Sequence, residues 1–558
     1  MIVLLGVALL LLLGRWAASL WGERGALLTL GLAAFCPHLL AHGTLVTSDL
    51  AATLGFTAAL AAWWRMLHAV TPARVAAAGL ATALLALSKF SAVLLAPVVV
   101  LLLALRLVRR TALPVKFGRR RQLPVGGRRI APLGLATLAA AGIAWLGVWA
   151  GYGFRYSADP TDRTAQFAQP WAEVLIEQPR LAGSTMADGS LPADAVELRP
   201  GIVQKFVRWA RGHELLPEAY LYGLAFTDRF SRHRLAYFAG EYRERGWREF
   251  FPAAFALKTT LPALALAALG LLAVGRHPRR ARLLYRVSPL LVFAGVYGAF
   301  ALTTNLNIGH RHLLPLYPAL YLLAGAAVHF SRRRMAAVLI AVLALWHAAE
   351  SWRVRPHYLT YFNQLAGGPT GGHRYFVDSS LDWGQGLPDL RDWLAANARG
   401  ERVYLSYFGS DDPARLGINA TRLGDHYFDY SPQRLVLPPL ENGVYCISAT
   451  MLHRVYTQVR GPWSDSYENE YRRLVAWRSA AEAQPPGARR NADGRPLDAA
   501  GWRSELTRLE QLRFGRLCRH LAQQAPDATV ANIFFVYRLD ATELQRALEV
   551  TGDALPAP

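Results

Sequence analysis

The chain has 558 residues, of which 53% are hydrophobic and 18% are charged, and its formal net charge is +22. Long uncharged runs crowd the first 350 positions, where Glu23 and Asp49 are the only acids before Tyr156. A soluble protein does not continue so far without carboxylates, whereas a polytopic membrane protein does. The composition therefore excludes a string of soluble domains and indicates a membrane protein with a water-soluble C-terminal third.

Apolar runs in the first 350 residues predict about ten transmembrane helices. They lie near 1–13, 26–41, 50–65, 75–88, 92–106, 130–152, 251–275, 287–304, 313–330 and 335–350. Five short basic segments separate them and hold 21 of the 61 Lys and Arg residues, with nine cations from Arg106 to Arg129. Such an excess marks cytoplasmic loops. Threading the helices through these loops places the remaining turns, at 41–49, 89–91, 153–250 and 305–312, and the tail 351–558 on the outer side.

The same charge distribution argues against nucleic acid as a partner. Outside the five basic segments the acids and bases nearly balance, and no aromatic side chains alternate with the charges of the most basic loop, as a nucleic-acid-binding surface would have. We therefore interpret the excess of Lys and Arg as a signal of membrane topology.

The start of the chain is unusual for a membrane protein. The first apolar run must pass from the outer to the inner side, and no positive charge precedes it as in a signal peptide. We therefore expect Met1 to lie within the second helix of a longer protein.

The sequence predicts two domains. Residues 1–350 form a transmembrane domain whose outer loop, 153–250, is rich in Trp and Tyr and is expected to contain interfacial helices. Residues 351–558 are expected to form an α/β domain. Its strand-like runs are Val403 to Phe408, Val444 to Ser448 and Ile533 to Tyr537, and its helices are expected near 384–398 and 502–523. Cys446 and Cys518 lie in this domain and are candidates for a disulfide if it faces an oxidising compartment.

Three polar residues on the outer side are candidates for chemistry. Asp49, in the stretch that also contains His42, is the single carboxylate of the early outer turns. It is either a helix cap or a carboxylate that activates a substrate hydroxyl. Lys89 and Lys258 are two of only four lysines, and both fall near the outer face. They are either snorkelling side chains or point charges for a lipid phosphate.

Two further segments carry candidate residues. The turn at 305–312 contains Arg311, whose planar fork suits phosphate, flanked by His310 and His312 as hydrogen-bond donors. A metal site from these two histidines is only weakly indicated, because no carboxylate or further His lies nearby in sequence. In the tail, Asp378 and Asp382 surround two serines, in a pattern that equally suits a turn or a site.

Together these residues place a carboxylate, two lysines and an Arg/His turn at one membrane face, below a soluble domain. An enzyme that acts on a polyprenyl-phosphate-linked substrate needs such a set. Its cations would hold the phosphate leaving group, and its carboxylate would accept a proton from the acceptor.

Several motifs also match a known family, in order along the chain. They are Pro37-His38-Leu39-Leu40-Ala41-His42-Gly43, Thr47-Ser48-Asp49, Leu87-Ser88-Lys89-Phe90, Gly240-Glu241, Gly246-Trp247, Leu257-Lys258-Thr259, Asn307-Ile308-Gly309-His310-Arg311-His312-Leu313-Leu314-Pro315, Tyr361-Phe362-Asn363, Asp378-Ser379 and Leu381-Asp382-Trp383-Gly384-Gln385. The chain resembles the bacterial branch of the dolichyl-phosphate-mannose–protein mannosyltransferases. These type C membrane glycosyltransferases also include the lipid A aminoarabinose transferase.

The resemblance implies transfer of a sugar from a polyprenyl-phosphate donor to a protein, lipid or glycan acceptor on the outer side of a bacterial inner membrane. We assign Asp49 a catalytic role, Lys89, Lys258 and Arg311 the lipid phosphate, and His42, His310, His312, Asp378 and Asp382 other substrate contacts. The family's proposed base belongs to an acidic pair in a first outer loop that this sequence lacks. No motif asks for a cofactor, and a divalent metal stays open. The alternatives are a polyprenyl-lipid transporter or flippase, and an inactive sugar-lipid binding relative.

Overall fold

A computed structural model gives the fold. It describes residues 2–549 except 110, 118, 124–128, 160–166, 168, 178–179, 183–195, 425–437, 486–488 and 492–493. The C-terminal end of the predicted soluble domain, beyond residue 549, therefore lies outside the described residues.

Helices dominate the first 353 residues. They are α1 Ile2–Ala34, α2 Pro37–Thr44, α3 Asp49–His68, α4 Pro72–Ser88, α5 Leu95–Val108, α6 Ile130–Gly151, α7 Trp171–Val174, α8 Ile202–Gly212, α9 Glu218–Ser231, α10 Phe250–Lys258, α11 Leu261–Arg276, α12 Arg280–Thr303, α13 Tyr317–Ala324 and α14 Arg334–Arg353. Among the described residues, seven helical segments are long and apolar enough to cross a membrane, or eight if the bent pair α10 and α11 forms one span. Two of the seven, Phe90–Val108 and His310–Phe330, join α5 and α13 to adjoining 3₁₀ turns. The prediction of a polytopic helical protein is confirmed, whereas the described residues contain seven or eight such segments and not the ten predicted.

Helix α1 doubles back on itself. Gly22 lies at φ +73°, a left-handed conformation that glycine adopts without the steric penalty of a Cβ. The side chain of Leu30 packs within about 3 Å of the point where Gly14 would carry a Cβ, so the two arms run antiparallel. The separate helices predicted near 1–13 and 26–41 are therefore present as the two arms of one hairpin.

The two ends of the helical bundle collect different segments. At one end the basic loops meet: Arg106 Nε donates to the carbonyl of Leu67 at 2.9 Å, and His68 Nε2 lies 2.9 Å from the Tyr285 hydroxyl. At the other end the predicted outer turns meet, as where the Asn307 side chain accepts from the amide of Trp247 at 2.5 Å. This grouping agrees with the predicted alternation of loops, while the assignment of the ends to membrane sides stays a prediction.

The basic loop contains a hairpin that we did not predict. Its strands, β1 Leu113–Phe117 and β2 Arg119–Leu123, pair antiparallel. Strand β1 is anchored because the amide of Lys116 donates to the carbonyl of Val70 at 3.0 Å, in the preceding loop of the same bundle end.

The broken helix near 251–275 differs from the single straight span predicted there. Helices α10 and α11 meet at 103° across Thr259 and Thr260. Pro262 occupies the first turn of α11, where its missing N–H breaks no hydrogen bond, so a new helix begins there more readily than the old one continues. The bend turns the end of α10, with Lys258, toward the interior.

The outer segment 153–250 carries α7 to α9 and two small hairpins, β3 Arg180–Ala182 with β4 Val196–Leu198 and β5 Ala236–Phe238 with β6 Glu241–Arg243. Helix α8 buries Val207 and Ala210 but exposes Ile202, Phe206 and Trp209. An exposed apolar ridge beside basic residues suits a helix that rests on lipid headgroups. The interfacial position of this segment stays a prediction.

A mixed five-stranded sheet organises the tail. Its strands are β7 Val403–Ser406, β8 Thr421–Arg422, β9 Gly443–Ser448, β10 Ala528–Val530 and β11 Phe534–Leu539, in the order β10-β11-β9-β7-β8. Strand β7 pairs parallel with β8 and β9, and the other pairs are antiparallel. The helices are α15 Leu387–Asn397, α16 Ala449–Leu452, α17 Asp465–Glu482, α18 Ala499–Leu521 and α19 Ala541–Leu548. The three predicted strands and two predicted helices are present within a few residues. The prediction lacks α16, α17, α19, β8 and β10.

The sheet separates the two cysteines that were candidates for a disulfide. Strand residues alternate between faces. Cys446 packs with Val444 on one face of β9, whereas Cys518 packs in the cluster that contains Tyr445 and Ile447, on the opposite face. Both thiols are buried and unpaired with each other, so the possible disulfide is not formed.

Candidate functional site

The centre of the candidate site is an ion pair between the start of α3 and the residue that follows α4. Asp49 is the first residue of α3 and its side chain is 1% exposed. Lys89 directly follows α4, and its ammonium lies 2.5 Å from Asp49 Oδ1. Since Ser48 makes no side-chain cap and the Asp49 carboxylate pairs with Lys89, the helix-cap alternative does not describe this residue.

A second cation joins the pair from the far side. Arg311 lies in the 3₁₀ turn His310–Leu316, and its Nη1 is 3.7 Å from Asp49 Oδ2. Its guanidinium carbon also lies 4.7 Å from the ring centre of Trp383, which the tail supplies. The side chains of Lys89 and Arg311 keep 18% and 21% exposure. One buried carboxylate is thus covered by two partly open cations, an arrangement with one positive charge in excess.

Two histidines flank these charges. Burial lowers the pKa of His42 to about 4, so its imidazole is neutral at physiological pH. The charged groups that face this ring include Asp49, Arg311 and Lys89. His312 faces the same three charged groups. Four buried polar atoms of this cluster make no hydrogen bond to the described residues: His42 Nδ1, Asp49 Oδ2, Arg311 Nε and His312 Nε2. Buried polar atoms without a hydrogen-bond partner are rare in protein interiors, and they suit a site that binds a polar ligand, an ion or water.

Lys258 has different partners from the other two predicted phosphate ligands. Its side chain is fully buried, and its ammonium donates to the carbonyls of Leu359 at 3.0 Å and Ser380 at 2.5 Å. The same ammonium lies 3.9 Å from the ring centre of Phe362. These contacts enclose the charge, so Lys258 holds the tail against α10 and is not presented to a lipid phosphate.

His310 belongs to the same internal layer. Its Nε2 is 2.8 Å from the Tyr317 hydroxyl, and its ring centre lies 4.1 Å from that of His38, with the two rings tilted by 46°. Its amide donates to Ser380 Oγ at 3.0 Å. The histidine predicted to contact substrate therefore ties the turn at 305–312 to the tail.

The two tail acids lie beside this layer. Asp378 adopts φ +57°, which is uncommon for a residue with a Cβ, and its Oδ2 accepts from the Tyr456 hydroxyl. Arg234 Nη2 donates to that same hydroxyl at 2.7 Å. Asp382 is fully buried, with Oδ1 accepting from the amide of Gly384 at 2.9 Å. The aspartates thus shape the turn that presents Trp383.

Burial gives Asp382 an unusual titration. It raises the pKa of this carboxyl to about 7. A carboxyl whose pKa is higher in the folded than in the unfolded protein favours folding at low pH, and that contribution is lost as the pH rises through about 7.

We therefore expect the wild-type protein to unfold at a lower temperature at pH 8 than at pH 5, and Asp382→Asn to remove much of the difference. The whole shift from an ordinary pKa near 4 corresponds to on the order of 4 kcal/mol, of which roughly 3 kcal/mol falls between pH 5 and pH 8, since the unfolded carboxyl is already ionised at pH 5. Asn keeps the acceptor for the Gly384 amide and carries no charge. Thermal unfolding in detergent at both pH values measures this. The exposed Asp392→Asn is the control, and an unchanged pH dependence in Asp382→Asn would contradict the assignment.

Three residues of the site were not selected from sequence. Trp383 belongs to the motif Leu381-Asp382-Trp383-Gly384-Gln385, but nothing in the sequence connects it with Arg311, more than seventy positions earlier. Arg234 and Tyr456 lie in segments without a recognisable pattern. Their proximity to Asp378 arises only when the outer segment and the tail meet.

Within the described part of the chain, no group of three or more His, Cys, Asp or Glu residues is placed to hold a metal ion. Comparison of the chain with family models, curated proteins and solved structures found no match. The family resemblance and the activity it implies therefore stay predictions.

Proposed function

We propose that this protein is a membrane glycosyltransferase that binds a polyprenyl-phosphate-linked sugar at the Asp49, Lys89 and Arg311 cluster. The observation that supports it best is the convergence of Lys89 and Arg311, from separate turns, over one buried carboxylate at one end of an apolar bundle. The excess positive charge and the unused donors suit a phosphate.

The proposed chemistry uses the cations on the leaving group. As the bond between the sugar C1 and the phosphate oxygen breaks, negative charge grows on the phosphate, and the Lys89 ammonium and Arg311 fork stabilise it. The acceptor oxygen forms the new bond to C1, and its proton passes to the departing phosphate or to solvent water. Asp49 is a poor acceptor for that proton, because the ammonium at 2.5 Å stabilises its ionised form. We therefore assign Asp49 the positioning of Lys89.

The first test separates phosphate recognition from binding of the lipid chain. We expect purified protein to bind decaprenyl phosphate more tightly than decaprenol, and Arg311→Ala to lower its affinity for the phosphate by about tenfold to a hundredfold. Affinity is measured by native mass spectrometry or thermophoresis in detergent. Arg353→Ala, an exposed arginine at the end of α14, is the matched control.

Transfer is then measured in proteoliposomes with polyprenyl-phosphate sugars and membrane extracts as the source of acceptor. Transfer that requires Arg311 supports the enzyme. Phosphate binding without turnover favours a sugar-lipid binding protein, and movement of the lipid between leaflets without transfer favours a transporter. Equal affinity for decaprenol and decaprenyl phosphate would contradict the proposed site.

A further inference from the structure

The Arg311 guanidinium makes no hydrogen bond to the described residues and lies over the ring of Trp383. Its Nε has no partner among the described residues, and Nη1 stands 3.7 Å from Asp49 Oδ2, beyond hydrogen-bonding distance. The Trp383 ring is the aromatic contact of this cation, with its centre 4.7 Å from the guanidinium carbon. A flexible side chain at a functional site needs such a support if its donors are to point in one direction.

Stacking and hydrogen bonding use different parts of the guanidinium. An aromatic ring attracts the face of the cation through its quadrupole, while the N–H donors point outward in the plane. Stacking on Trp383 therefore leaves the in-plane donors available for two oxygens of one phosphate, the bidentate geometry that a guanidinium favours.

Trp383 is itself rigidly placed by its own turn. Its amide donates to Gln385 Oε1 at 2.7 Å, and Gln385 Nε2 donates to the carbonyl of Leu381 at 3.1 Å. Gly384 lies at φ +77°, and its amide donates to the buried Asp382. These bonds order the turn 381–385, which belongs to the tail, and so fix where the tryptophan stands beside Arg311.

We infer that Trp383 is a positioning residue for the donor phosphate, supplied by the C-terminal domain and acting through Arg311. The inference rests on the proposed function, since it concerns the same phosphate. The membrane helices then provide the charges, and the tail orients one of them. The tail is thereby a working part of the donor site.

The test compares Trp383→Ala and Trp383→Phe in the full-length protein. Because a cation–π contact contributes roughly 0.5–2 kcal/mol, we expect Trp383→Ala to bind decaprenyl phosphate about two- to thirtyfold more weakly, with little change for decaprenol. Trp383→Phe keeps an aromatic face and is expected to recover most of the affinity. Trp502→Ala, which removes another Arg–Trp stack of the same domain, with Arg489 at 4.2 Å, is the matched control.

The outcomes distinguish the two proposals. Loss of phosphate preference in Trp383→Ala with recovery in Trp383→Phe supports the inference, because a merely structural defect would weaken decaprenol binding as well. Wild-type phosphate affinity in Trp383→Ala, together with a loss in Arg311→Ala, overturns the positioning role and leaves the proposed function standing. A wild-type protein that does not distinguish phosphate from alcohol overturns both. If Trp383→Ala fails to fold, Trp383→Leu takes its place, because leucine keeps an apolar side chain but offers no aromatic face. Wild-type affinity for decaprenyl phosphate in Trp383→Leu would then overturn the positioning role.

Discussion

Lys89→Met is expected to lower the free energy of unfolding by roughly 3 kcal/mol and to abolish preference for a phosphate-bearing lipid. The Asp49 side chain is 1% exposed, and Lys89 is its closest cation, at 2.5 Å. Without the ammonium, a buried carboxylate remains with only Arg311, at 3.7 Å, to offset its charge. Thermal or denaturant unfolding in detergent measures the stability, and decaprenyl phosphate against decaprenol measures the binding.

The double variant Asp49→Asn, Lys89→Met separates the two effects. Removing both charges takes away the unpaired carboxylate, so stability should return most of the way to wild type. Phosphate binding should not return, because one of the two cations is still missing. Lys205→Met, the same substitution on the exposed face of α8, is the control. A double variant that binds the phosphate normally would show that Lys89 serves only to neutralise Asp49.

Lys258→Met is expected to cause a large loss of stability, as Lys89→Met does, but only a small effect on phosphate binding. The variant leaves the carbonyls of Leu359 and Ser380 without a donor in an interior that water does not reach, and each such group costs about 1–3 kcal/mol. Lys258→Arg is expected to destabilise as well, since the larger guanidinium does not fit an enclosed site.

Hydrogen exchange measures the consequence locally. Segments 357–385 should exchange faster in Lys258→Met, because the ammonium joins α10 to this part of the tail. The folded fraction should bind decaprenyl phosphate within about twofold of wild type, because the Lys258 ammonium contacts Leu359, Ser380 and Phe362 and not the cations Lys89 and Arg311. A selective loss of phosphate affinity with normal protection of the tail would instead return Lys258 to the phosphate site.

The comparison of the two lysines shows where sequence reasoning reached its limit. Both follow or end a helix on the predicted outer side, and both were assigned to the phosphate. Whether such a lysine is open or enclosed depends on what packs above it. Lys89 meets the carboxylate of α3, whereas Lys258 is covered by residues about a hundred positions later in the chain.

The sequence by itself determined the helical membrane class, the alternation of loops and the three main strands of the tail. These follow from the length of apolar runs, the placement of Arg and Lys, and short β-branched or aromatic segments, all of which act locally. It also brought Asp49, Lys89 and Arg311 to the same end of the bundle, because alternating helices place every second turn together. Only the tertiary structure decided the bend between α10 and α11, the enclosure of Lys258 and the contact of Trp383 with Arg311. These features arise from contacts between distant segments, and no local pattern of residues encodes which distant segment will supply the partner.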